Sequence, residues 1–315
     1  MIAVSLVGRI GNQLFIYAAA EAIRQKRGRN EKIVFYDYPV LDKGWRNSLL
    51  DYDLENVEYE HNPRKRLFIS KLKAFVLSRF FYSRIGCANP WRVYQYERKL
   101  QPIWNKLGIV SCTHGYLEMH TPSTSHVFVR GYLQSEKYFK EISLQIRHTL
   151  MKRLPVLRKK DYVKQLENRN SVCISIKVEH NAGDTLFDVC GKEYYTQAIT
   201  YITKMVENPL FFICSDNVQY VLEHYIDADK YDCICQEQGL PVSDALTIMG
   251  ACKHYIIGNT SFGWWAQYLS ANLNKIVVAP NRWFRDVNMP VDIYDENWHL
   301  IDVTGYIERT NDNYE

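Results

Sequence analysis

The chain has no apolar run that could cross a bilayer, since no window approaches about 18 uncharged apolar residues. It has no basic leader either: Met1-Ile-Ala-Val-Ser-Leu-Val-Gly8 turns at once into structure and is not read as a signal peptide. A strong excess of either charge is missing. There are 39 basic against 35 acidic residues, and a net charge of +4 is too mild to imply a nucleic-acid partner. Metal-site spacing is missing too. Of the eight cysteines only Cys233 and Cys235 are close, and neither Cys-x-x-Cys nor a His cluster completes a zinc set, so no metal is expected. Cys173, Cys214 and Cys252 sit inside apolar runs, where a thiol acts as a small hydrophobe. The expectation is reduced thiols in the cytoplasm.

What is present is a soluble composition and a length of 315 residues, which suits two domains of about 150 each. Ile2 to Val7 reads as a buried strand. Gly8-Arg-Ile-Gly-Asn-Gln13 follows, and Leu14 to Arg27 reads as a helix with a thin alanine face. A strand, a glycine-bearing loop and a helix make a ligand edge at the carboxyl end of a parallel sheet. This is not the dinucleotide fingerprint, which needs a third glycine. Arg9, Asn12 and Gln13 are suited to sugar hydroxyls or phosphate, although Asn12 is also a helix-capping residue type.

Lys32 to Tyr36 reads as a second strand. From Arg64 to Arg84 there are seven basic residues and no acidic one, interleaved with Leu67, Phe68, Leu72, Phe75, Val76, Phe80 and Phe81. Such a segment reads as a solvated helix whose apolar face is core, or as one lying on an anionic membrane surface. Val127 to Leu133 is strand-like. A helix is expected to follow Gln134-Ser-Glu-Lys-Tyr-Phe139 and to run to Leu154, with a charged, Pro155-bearing link over Lys152 to Lys164. The division is placed after residue 160, giving an acceptor-side domain over 1–160 and a nucleotide-sugar domain over 161–315.

The second half alternates cleanly. Strands are expected at 172–178, 210–214, 255–257 and 275–279, and helices at 194–206, 218–225 and 243–252. That alternation predicts an α/β protein with a doubly wound parallel sheet. Tyr255-Ile-Ile-Gly-Asn-Thr-Ser-Phe-Gly-Trp-Trp265 carries the strongest local signal: a short buried strand, a glycine break, capping residues and a helix. The amides of Thr260, Ser261 and Phe262 would favour an anion there. An ordinary capped βα connection reads equally well. Trp264 and Trp265 cannot both face one core, so one of them is expected to line a cleft or pack against another domain.

These residues carry a resemblance. Gly8 to Ala18, Gly131 to Phe139, Phe212-Ile-Cys-Ser-Asp216 and Cys252 to Trp265, with Ala279-Pro280 and Trp283-Phe284, resemble in order the motifs of glycosyltransferase family 11, the α-1,2-fucosyltransferases. The resemblance implies a GT-B type fold, with two Rossmann-like doubly wound domains facing across a cleft. It also implies GDP-fucose as donor, a β-galactoside acceptor, inversion at the anomeric carbon, no metal, and a place in surface polysaccharide or O-antigen synthesis. Work in the cytoplasm is expected, and the basic residues of Arg64–Arg84, not the resemblance, leave open a peripheral contact at the inner face of the cytoplasmic membrane.

One departure stands out. Where the family has His-x-Arg-Arg-Gly-Asp, this chain reads Lys177-Val-Glu179-His180-Asn-Ala-Gly183-Asp184. Lys177 replaces the His and Glu179 replaces the Arg that would grip the diphosphate. Lys177 can supply a point charge, whereas Glu179 would repel phosphate unless it points away or acts as a base. Glu179, His180 and Asp184 are the candidate bases. Lys177, Asn259, Thr260, Ser261 and Phe262 are the candidate donor-binding residues, together with Asp216 and Asn217 for the nucleobase, although Asp216 would also suit a helix cap. Arg9, Asn12 and Gln13 are assigned to the acceptor side. A different nucleotide-sugar donor, or a carbohydrate-binding relative without turnover, are the alternatives.

Overall fold

The structure is a computed structural model and describes residues 1–28, 30–62, 68–77, 79, 89–178 and 186–311. The chain divides into two compact units. One holds Met1–Thr149 with Asn288–Ile293, and the other holds Leu150–Val287 with Tyr294–Glu315.

The first unit is built on five strands: β1 (Ile2–Ser5), β2 (Ile33–Tyr36), β3 (Val57–Glu60), β4 (Ile109–Cys112) and β5 (Val127–Gly131). They form one sheet in the order β3-β2-β1-β5-β4, every pairing parallel. β2 is a continuous β-branched and aromatic run, and β1, β2 and β4 are buried along nearly their whole length, as helix-covered parallel strands require. The helix Ile10–Lys26 returns over the sheet, its four alanines buried. Asn288–Ile293 joins this unit through Asp292, which accepts from Ser135 Oγ at 2.6 Å and pairs with Lys137 at 2.6 Å.

The second unit holds β6 (Ser171–Ile176), β7 (Leu210–Ser215), β8 (Cys233–Cys235), β9 (His254–Ile257), β10 (Val277–Pro280) and β11 (His299–Ile301). The order is β11-β10-β9-β6-β7-β8, again all parallel. Helices Lys192–Met205, Val242–Gly250 and Ser261–Leu269 cover it. Residues 150–160 belong to this unit rather than to the first, where the sequence placed them. Arg153 grips Asp244 with two bonds, of 2.6 and 2.9 Å.

One expectation needs correction. The single helix expected to follow Phe139 and run to Leu154 is broken: after the turn Glu136–Tyr138 come the turn Lys140–Ile142 and the helices Ser143–Leu150 and Leu154–Leu157. Ser135 caps the first turn through Lys137 N, and Pro155 starts the last helix. Neither Trp264 nor Trp265 faces open solvent. Both are buried, Trp264 stacked on Tyr268 and edge-on to Trp265. Their helix packs against Val242–Gly250 and against β9, so side chains pointing apart are both covered.

Candidate active site

In a doubly wound sheet the ligand crevice forms at the carboxyl ends of the strands, where the strand order reverses. In the second unit that point lies between β6 and β9. β7 and β8 continue on one side of the pair, β10 and β11 on the other. β6 ends at Ile176 and delivers Lys177, half-buried. β9 ends at Ile257 and delivers Gly258, Asn259, Thr260 and Ser261. The sequence thus places Lys177 and the Asn259–Phe262 turn at adjacent strand ends of one edge.

The turn is held firmly. Thr260 is the N-cap of Ser261–Leu269, and its Oγ1 accepts from Gly263 N at 3.0 Å. Its own amide donates to Gly258 O at 2.8 Å. The expectation that the Thr260 amide would meet a ligand is therefore corrected. The first-turn amides of Ser261 and Phe262 are the ones with no intrahelical acceptor to use. A Cβ at Gly263 would lie 3.1 Å from Ser175 Oγ and 3.2 Å from Ile257 Cβ. Glycine there lets the helix begin tight against β6 and β9, so its positive end sits over the switch point.

Asn259 braces this edge. It is buried, and its Nδ2 donates to Phe187 O at 2.8 Å and Trp283 O at 2.9 Å, joining two loops of the same edge. Asp216 lies at the neighbouring end of β7, where its Oδ1 accepts from Val178 N at 2.7 Å. Asn217 caps the helix Val218–His224, accepting from Tyr220 N at 3.1 Å. Both therefore have structural work at the place where nucleobase contact was expected. Glu179, His180 and Asp184 lie outside the described residues.

The switch point of the first unit falls between β1 and β5. A cavity of about 320 Å³ opens there, lined among others by Ser5, Gly8, Lys43, Thr113, Arg130 and Tyr132. Gly8 has φ +75, and a Cβ on it would come within 2.4 Å of Asn12 Nδ2, so the loop after β1 requires glycine. Arg9 is exposed, its guanidinium 5.8 Å from the Trp45 ring. Asn12 is not the helix cap. That position is Arg9, and Asn12 Oδ1 accepts from Gln134 Nε2 at 2.6 Å. Gln13 is corrected from substrate contact to internal pin. It is fully buried, donating to Gly8 O (2.8 Å) and Arg46 O (3.0 Å) and accepting from Ser48 N (2.8 Å).

Sequence reading missed Thr113 and Arg130 in the cavity and Glu97 behind it. The Glu97 carboxylate is buried and accepts from Ser111 Oγ (3.1 Å), Thr113 N (2.8 Å) and Thr113 Oγ1 (2.8 Å). An acid in mid-helix and an Arg ending a strand were the available signals. His114, next along, is held below its ordinary pKa by burial, against an opposing pull from Glu97. Among the described residues no cluster of His, Cys, Asp or Glu could hold a metal ion.

The chain matches known proteins as follows. The sequence model described as glycosyl transferase family 11 matches residues 109–302, more than half of the chain. An α-1,2-colitosyltransferase of Escherichia coli is 24% identical over 94% of this chain and 97% of its own length. The O-antigen biosynthesis glycosyltransferase WbnK of Escherichia coli is 24% identical over 90% of this chain and 95% of its own. Among solved structures, NodZ alpha-1,6-fucosyltransferase co-crystallized with GDP aligns with a TM-score of 0.50 at 13% identity, covering 85% of this chain and 92% of that one. NodZ comes from Bradyrhizobium. At that identity the likeness speaks for the fold, which is α/β of the GT-B type.

Proposed function

From the premise that this chain belongs to glycosyltransferase family 11, we propose that it moves L-fucose from GDP-fucose to the 2-hydroxyl of a β-galactoside, with inversion, during O-antigen or surface polysaccharide synthesis. The observation that carries the reading is the convergence of Lys177 and the opening of the helix Ser261–Leu269 at one switch point. A cation and two helix-end amides are what a departing diphosphate needs.

The reaction breaks the bond between the sugar C1 and the diphosphate oxygen. The acceptor oxygen bonds C1 from the opposite face and passes its proton to a base, for which Glu179, His180 and Asp184 are the candidates in the sequence. Charge builds on the diphosphate, where Lys177 Nζ and the amides of Ser261 and Phe262 stabilise it. Asn259 and Asp216 fix the loops that present those groups. Arg9, Asn12 and the cavity beside Thr113 and Arg130 take the acceptor.

A second reading keeps the linkage and changes the sugar. Lys177 and Glu179 in place of the expected His and Arg favour it, as does the relative named α-1,2-colitosyltransferase. Incubation with GDP-fucose and other nucleotide sugars over a panel of galactosides, with product linkage read by NMR, separates the two. A fucosylated 2-hydroxyl supports the first, product only from another donor supports the second, and no product from any donor refutes both.

A further inference from the structure

The helices Phe68–Val76 and Pro90–Lys106 cover the same face of the first sheet. Ala74 and Leu77 from one side and Leu100 and Trp104 from the other meet in a single buried cluster around Ala3, Val34 and Phe128. Lys73 donates to Gly108 O at 3.1 Å and to His126 O, so the first helix runs beside the end of the second. Their outer sides therefore form one surface.

That surface is patterned the wrong way for water. The first helix turns Ser70, Ala74 and Lys73 inward and leaves Ile69, Leu72 and Phe75 out. The second leaves out Trp91 and Ile103, and Leu107 follows it. These six are between 39% and 58% exposed. An amphipathic helix docked only on its own core would show the reverse. Interleaved with them are Lys71, Arg79, Arg92, Arg98, Lys99 and Lys106, all exposed. The two helices contain one acid, Glu97, and it is buried against Thr113.

We propose that this face seats on an anionic lipid bilayer. The apolar side chains enter the boundary between headgroups and acyl chains, and the lysines and arginines lie against lipid phosphates. The charge pattern selects this occupant. A second copy would bring six cations against six, and a protein interface would gather its apolar residues at a centre rather than alternate them with cations. The inference is independent of which sugar or nucleotide is used. It concerns where the enzyme works, with the acceptor cavity in the same unit as the docking face.

The test is flotation of the full chain with vesicles of phosphatidylcholine, alone or mixed with phosphatidylglycerol. Binding is expected only to the mixed vesicles and should weaken as salt is raised. The pairs Leu72→Ser with Phe75→Ser, and Lys99→Glu with Lys106→Glu, should each cut the bound fraction roughly tenfold, with unfolding temperature unchanged. Brominated phosphatidylglycerol should quench the wild-type fluorescence of Trp91, a readout that needs no variant to fold except the Trp91→Phe control. Wild type that fails to float, variants that float equally well, or a wild-type dimer that these same variants break would each overturn the proposal.

Discussion

The Oδ1 of Asp216 accepts the backbone amide of Val178 across 2.7 Å. The ends of two adjacent strands are thereby tied, one of them carrying Lys177. The tie gives Asp216 a hold on the strand end that carries the lysine.

Substitution can tell this tie from direct contact with a nucleobase. Asp216→Asn keeps an oxygen that accepts from Val178 N, so GDP affinity should stay within about threefold of wild type, while Asp216→Ala should lose roughly tenfold. If Asp216 reads guanine with a carboxylate, Asp216→Asn should bind GDP as poorly as Asp216→Ala. Calorimetric titration of GDP into both variants decides.

Lys177 stands where an Arg-bearing motif is expected, and its charge should dominate donor binding. Lys177→Ala should weaken GDP affinity roughly ten- to hundredfold, the range of one charge-assisted bond. Lys177→Gln should resemble the alanine variant. Equal affinity in all three would show that the diphosphate lies elsewhere.

Gln13 and Asn259 are braces, and their loss should appear in stability before activity. Gln13→Ala removes three hydrogen bonds and Asn259→Ala removes two, all to backbone groups. Each variant should unfold in urea with ~1–3 kcal/mol less stability than wild type. Unchanged urea midpoints would contradict this assignment.

The alternation of strands and helices in the second unit was legible because buried parallel strands are short unbroken apolar runs, as in Phe211 to Cys214. The helix start at Ser261 was legible for the same local reason: capping residues follow a strand. The role of Gln13 was not, since its partners Arg46 and Ser48 are distant in sequence and no pattern announces them. Nor could periodicity tell the core-facing side of Phe68–Val76 from its outer side. Both sides have residues at helical spacing, and packing of Ala74 and Leu77 on the sheet makes the choice. The signal at Glu97 was weak because a lone acid among basic neighbours reads as a solvated charge.

Acid should destabilise the second unit partly through His254. Its Nδ1 accepts from Ile276 N at 3.1 Å, and burial, helped by Lys253 beside it, holds its pKa below the ordinary value. The unfolded imidazole therefore takes up a proton first as pH falls. The stabilising contribution is full above about 6.5 and is lost as pH drops through the lower folded value. His254→Asn offers an amide oxygen for Ile276 N and should flatten the acid side of the stability curve. Urea midpoints across pH 5 to 8 check this, and an unchanged acid slope would contradict it.

The central claim is that the amide opening at Ser261 holds the leaving diphosphate. Proline is tolerated at the first position of a helix and deletes only the N–H there, and Thr260 already has the extended backbone that must precede it (φ −124, ψ 138). Titration of GDP into Ser261→Pro and Ser261→Ala isolates that amide. We predict that the alanine variant loses little beyond its hydroxyl contact, while the proline variant loses a further tenfold or so with its unfolding temperature retained. Wild-type GDP affinity in Ser261→Pro would contradict the account.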